Sequence, residues 1–197
     1  MQRSGDDRFT GKERDLITRE EALELVEKNL RKKNLVKHVL AVEAIMRTMA
    51  ERFGEDPDVW GMAGLLHDLD YEQTFEDPER HGAVTMELVE DLDIPGEVRH
   101  AILAHCDKAP RNSAMDKTIY AADPLTGLIV ASALMHPSKS LAGMDADFVG
   151  KRFGEKRFAA GADREAIATC SELGLDLHDF IGISLEAMRG ISDRLGL

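Results

Sequence analysis

Six side chains in this sequence have the chemistry of metal ligands: His38, His67, Asp68, His81, His105 and Asp123. His67-Asp68 closes an otherwise apolar run, Gly61-Met62-Ala63-Gly64-Leu65-Leu66. Burying a carboxylate without a partner costs several kcal/mol, so such a pair needs a cation or a hydrogen-bond network. His38 is in helical phase with Val42 and Ile45, His81 with Val84 and Leu88, and His105 with Val98, Ala101 and Ile102, so each is expected to point inward. Asp123 lies four residues after Ile119 and three before Thr126, on a mostly apolar face. Asp123-Pro124 also reads as an N-cap followed by a first-turn proline, so this aspartate is either a ligand or a helix start. Helical bundles assemble metal sites by aiming side chains inward from several helices in this way. The remaining histidines serve as controls. His100 lies about 140° around the helix from His105, His136 precedes Pro137 at a helix end, and His178 sits among Asp176 and Asp179.

The elements that would position these side chains are all helical. Thr18-Arg19-Glu20-Glu21 is a capping-box pattern, and Ala22, Leu23, Val26 and Leu30 form the stripe of the helix it opens. Asn34 is expected to cap a second helix that runs to Phe53-Gly54, making these two antiparallel neighbours. Asp56-Pro57 and Asp77-Pro78 each read as a helix start, the second carrying Val84, Leu88 and Leu92. A helix follows Pro95-Gly96, and Ser113 to Asp116 is a second capping box leading into Ile119 through Leu134. Beyond Pro137 the pattern predicts a short helix, then Asp163–Leu173 and Leu177–Leu195, packing that completes the bundle. No stretch alternates like a half-buried strand. The expected fold is all-α: one compact helical domain over 18–197, with its ligand-bearing core at about 34–130 and a polar leader at 1–17.

Composition limits the function. The chain has 197 residues, 25 basic against 37 acidic, and a net charge of −12, which argues against binding a nucleic-acid polymer. No run of about 18 uncharged apolar residues and no signal-peptide core are apparent, so the protein is expected in the cytoplasm, away from membranes, as a monomer or homodimer. Cys106 and Cys170 are expected to be free thiols. No Ser-His-Asp pattern, glycine-rich phosphate loop or dinucleotide fingerprint occurs.

His38, His67-Asp68 within Gly-Leu-Leu-His-Asp, His81 before Gly82-Ala83, His105 after Ala-Ile-Leu-Ala, and Asp123 in Tyr-Ala-Ala-Asp-Pro-Leu-Thr-Gly form an ordered pattern. It resembles the HD-domain metal-dependent phosphohydrolases of the HDIG-type branch. The resemblance implies that His38, His67, Asp68 and Asp123 hold one ion and that Asp68 bridges to a second held by His81 and His105. Many members have a second adjacent histidine where this chain has Cys106, and their Ile-Gly after His-Asp is replaced here by Leu69-Asp70. Nitrogen and oxygen donors suit Mn²⁺, Fe²⁺, Co²⁺, Ni²⁺ or Zn²⁺. One or two such ions would activate water for attack on a small phosphoester, expected to be a nucleotide, with His67 and Asp68 at the reacting centre. Divalent ions also invert the local potential, so an acidic chain can receive a phosphate. Arg80, Lys108 and Arg111, near His81 and His105, are candidates to bind that anion. A di-iron oxygenase and a metal-containing nucleotide-binding domain without turnover are the alternative readings.

Overall fold

A computed structural model of the chain describes residues 16–197. The leader expected at 1–17 therefore lies, as far as residue 15, outside the described residues. Among the described residues every regular element is helical: α1 (Arg19–Asn29), α2 (Lys33–Phe53), α3 (Pro57–Leu66), α4 (Tyr71–Thr74), α5 (Ala83–Leu88), α6 (Gly96–His105), α7 (Ala114–Met135), α8 (Ala146–Gly154), α9 (Arg164–Ala168), α10 (Leu177–Arg189) and α11 (Ser192–Leu195). The two capping boxes form as their sequences predict. Thr18 and Glu21 exchange side-chain and backbone bonds at α1, and Ser113 and Asp116 do so at α7.

Long α2 is the central strut, packed against α3, α7 and α10, while α6 packs on α7. Its fully buried Val39, Val42, Ile45, Met46 and Met49 join Leu65 and Leu66 of α3 and Ile119, Leu125 and Leu128 of α7 in one contiguous core. The short turn after α1 does not make α1 and α2 the paired neighbours. Helix α1 lies on α3, because α2 gives its own face to α3. The approach is close enough that a Cβ built on Gly64 would stand 2.8 Å from the Glu43 backbone. Glu43 is buried beside this contact and accepts from Arg19 of α1 and Arg47 of α2.

Five details of the helices differ from the sequence reading or settle what it left open. Helix α2 starts at Lys33 rather than at an Asn34 cap, because the Lys32 N–H donates to Glu72 from a distant turn at 2.7 Å. Asp77-Pro78 opens only a 3₁₀ turn, Pro78–Arg80, without an Asp77 side-chain cap, and α5 begins after Gly82 at φ +78°. Asp123-Pro124 starts nothing, since Pro124 lies inside α7. Its ring leaves the Tyr120 carbonyl without a helical amide partner, while capping at Ser113 and burial on both sides hold the helix together. The stretch read as Leu177–Leu195 is broken at Gly190, and Asp163–Leu173 is α9 followed by a 3₁₀ turn.

Helix α7 is long and apolar enough by composition to cross a bilayer, a possibility the sequence reading did not raise. Yet 56% of its most apolar window is buried inside the protein. Crowding at the α2/α3 contact gives a direct test. Gly64→Ala forces the helices apart and should cost about 1–3 kcal/mol in urea unfolding. Gly150→Ala, in α8 with open space around it, should be neutral or stabilising by less than ~1 kcal/mol.

Candidate metal centre

His38 projects from the second turn of α2, His67 caps the C-terminus of α3, His105 is the last residue of α6, and Asp123 lies in α7. Asp68 is in the turn that ends α3. His81 sits in the extended connection after the 3₁₀ turn, with φ −57° and ψ 138°. The helical phase inferred for His81 is therefore wrong, although its side chain still arrives at the centre. The structure brings all six of these side chains together.

Each of the four imidazoles uses its Nδ1 on the outer side. His38 Nδ1 lies 2.9 Å from the Thr126 hydroxyl, which itself donates to the Asp123 carbonyl, so the histidine is the donor. His67 Nδ1 donates to the Gly64 carbonyl at 2.7 Å, His105 Nδ1 to the Ile102 carbonyl, and His81 Nδ1 to the Asp70 carboxylate at 2.8 Å. All four Nε2 atoms thereby turn inward, the atoms a metal would bind once any proton they carry is displaced. They meet Asp68, whose two oxygens divide the set. Oδ2 lies 3.4 Å from His38 Nε2 and 3.6 Å from His67 Nε2, while Oδ1 lies 3.4 Å from His81 Nε2 and 3.6 Å from His105 Nε2. Asp123 Oδ1 joins the first group, 3.1 Å from His38 Nε2. Two donor clusters thus share one carboxylate.

Burial and charge support that reading. His67 Nε2 is fully buried and has no hydrogen-bond partner, a costly state that a cation on its lone pair would relieve. Burial opposes ionisation of Asp68, yet His67, His105 and His38 hold its carboxyl well below the ordinary value. Asp123 is likewise lowered against its burial, mainly by His38. Burial would lower His38, but its bonds to Asp123 and Asp68 push it up to about 10, so in the metal-free chain it carries a proton between two carboxylates. His67 goes the other way, and burial takes it down to about 4. The donor set and the orphaned nitrogen fit divalent transition metals.

A cavity of about 640 Å³ opens onto the centre. Its walls include Tyr71, Tyr120, Asn34 and Asp107, and the segment Ala159, Gly161, Ala162, Asp163 and Ala166 from the C-terminal third closes one side. Sequence reasoning treated that third as packing only, and small residues in a connection carry no signal that would have flagged it. Thr126 was also missed, although its place three residues after Asp123 was visible. The cations expected to bind substrate are not among the lining residues. Arg80 is exposed, Lys108 donates to the Glu79 carbonyl, and Arg111 pairs with Asp107 and stacks 3.8 Å above the Tyr120 ring. Among the controls, His100 pairs with Asp116 and the exposed His178 lies near Asp147. Cys106 packs its sulfur among the carbonyls of His81, Ile102 and Leu103, and a Cβ on Gly82 would come within 2.6 Å of it. Burial raises its thiol pKa, and its sulfur also lies within 4.8 Å of ligand atoms of His81 and His105.

The HD-domain family model matches residues 35–133, half of the chain, and takes in all six ligand candidates. The chain belongs to the HD-domain family. HD domains form a superfamily of metal-dependent phosphohydrolases that bind divalent metals, consistent with the clusters just described. Similar curated proteins are named ribonuclease Y. That of Desulfotalea psychrophila is 33% identical over 94 residues, 48% of this chain and 18% of that protein. The ribonucleases Y of Oleidesulfovibrio alaskensis and Pelobacter propionicus are 30% and 32% identical over the same length, with the same coverage. This HD-domain chain thus spans under a fifth of the length of those relatives. No solved structure gives a significant match.

The state of His38 has a measurable consequence. Its folded value lies above the ordinary 6.5, so in the metal-free HD domain its contribution to stability is complete below about pH 6.5 and is lost as pH rises through 10. A metal must displace that proton. Loading with Mn²⁺ at pH 7.5 should release on the order of one proton per chain, seen as a calorimetric heat that changes with the ionisation enthalpy of the buffer. A heat independent of buffer would contradict the assignment.

Proposed function

We propose that this HD domain is a phosphohydrolase with a two-ion centre that cleaves a small phosphomonoester or phosphodiester, with nucleotides as the leading substrate class. The observation that carries the reading is the division of Asp68, with one oxygen facing His38 and His67 and the other facing His81 and His105. His38, His67, Asp68 and Asp123 would hold one ion, and Asp68, His81 and His105 the other. Bound divalent ions would lower the pKa of a water molecule and offset the charge of the phosphoryl oxygens. The protein's own part is orientation. Thr126, Gly64, Asp70 and Ile102 fix the imidazoles before substrate arrives.

Tyr71 and Tyr120 on the cavity wall suit a planar or apolar substituent such as a base. The ribonuclease name of the relatives supports a ribonucleotide phosphodiester within the panel to be tested. The net charge of −12 and the wall carboxylates Asp107 and Asp163 favour a small molecule over a polymer. The mixed nitrogen and oxygen donors favour Mn²⁺, Fe²⁺, Co²⁺, Ni²⁺ or Zn²⁺.

The test is turnover of mono-, di- and cyclic nucleotides and simple aryl phosphates by protein loaded with Mn²⁺, Co²⁺ or Ni²⁺. Asp68→Ala should retain the fold and lower kcat to below ~1% of wild type, because it removes the shared ligand and the charge that both ions require. Absence of turnover on the whole panel with each metal, or an Asp68→Ala variant as active as wild type, would sink the proposal.

A further inference from the structure

Asp70 is fully buried, yet it belongs to neither donor cluster. Its carboxylate is nonetheless saturated. Oδ1 accepts from His81 Nδ1 at 2.8 Å, and Oδ2 accepts from the Gly82 N–H at 2.7 Å and the Thr85 N–H at 3.0 Å. The imidazole it orients stands apart from the other three. His38, His67 and His105 are on or at the ends of helices, whose backbones set their direction, whereas His81 is on an irregular connection between a 3₁₀ turn and Gly82. The outer acceptors also differ in charge: a hydroxyl and two carbonyls for the others, a carboxylate for His81 alone.

We propose that Asp70 is the positioning residue that fixes the tautomer and direction of His81 and thereby decides whether the second ion is held. The proposal rests on the two-ion reading of the centre. Its logic is local: one turn supplies the shared ligand, Asp68, and two residues later the carboxylate that aims His81 at the other side of it. A carboxylate accepting from Nδ1 places the proton there, frees Nε2 for a metal and makes the ring a stronger donor. Holding Gly82 and Thr85 with its other oxygen, Asp70 also ties the His81 connection to the start of α5. The opposite side of that connection is closed by Cys106, which leaves no room for a Cβ at position 82.

Asp70→Asn separates positioning from support. Its amide oxygen can keep both backbone N–H bonds, while its NH₂ group faces His81 Nδ1 and requires that nitrogen to accept. The proton then moves to Nε2, the atom facing Asp68 and His105. In metal-free protein labelled with ¹⁵N-histidine, long-range ¹H–¹⁵N spectra should show His81 protonated at Nδ1 in wild type and at Nε2 in Asp70→Asn, with the thermal midpoint unchanged. Titration with Mn²⁺ should give two ions per wild-type chain. In the variant one ion should remain, with affinity for the other reduced about 10–100-fold. An unchanged tautomer in the variant, or two ions bound with wild-type affinity, overturns the proposal. So does a wild-type chain that binds a single ion, or wild-type His81 protonated at Nε2, a readout that needs no variant. A wild-type chain that binds no metal overturns the reading of the centre itself, and the metal-free tautomer comparison still decides the role of Asp70.

Discussion

Four imidazoles with their Nδ1 protons committed to outward acceptors must turn their Nε2 atoms to the interior, and they turn them to two carboxylates. This is the constraint on which the rest of the structure depends. Lone pairs and negative charge gathered in a largely buried space are unfavourable unless positive charge joins them. Without metal, the His38 proton offsets part of that charge, and its elevated affinity measures how strongly the site attracts a cation. The orphaned His67 nitrogen shows that one proton leaves the demand unmet.

The fold serves this demand through crossings of rigid elements. The close α2/α3 approach at Gly64 brings the end of α3 beside His38, and the Gly64 carbonyl then accepts from His67. The same residue permits the packing and orients a ligand. Helix α7 contributes Asp123 and, one turn on, Thr126, which locks His38. The parts that regular helices leave open are filled by an irregular segment, where Asp70, Gly82 and Cys106 hold His81 in place.

Much of this was legible in the sequence because it obeys local rules. The all-α fold followed from helical periodicity, both capping boxes formed where their residues stood, and the six ligand candidates were picked out by type and phase. What failed was set by distant contacts. Lys32 precedes the helix with its N–H held by Glu72 of α4, so the apparent signal at Asn34 was empty. Asp77-Pro78 has the same letters as Asp56-Pro57, but only Asp56 bonds the first-turn amides. His81 was placed correctly for a wrong reason, since the connection that carries it is fixed by Asp70 rather than by helical phase. Arg80, Lys108 and Arg111 are near the ligands in sequence, yet none of them lines the cavity: Arg80 is exposed, Lys108 bonds the Glu79 carbonyl, and Arg111 is held by the wall residues Asp107 and Tyr120, while one side of the wall comes from residues 159–166, far along the chain.

The central claim is that two donor clusters joined by Asp68 form a two-ion centre. Anomalous diffraction from crystals of the Mn²⁺-loaded protein, collected at the manganese edge, tests it most directly. The account predicts two peaks, one among His38, His67, Asp68 and Asp123 and one among Asp68, His81 and His105. No peak at these residues, or manganese only at the exposed cluster of Asp176, His178 and Asp179, would contradict it.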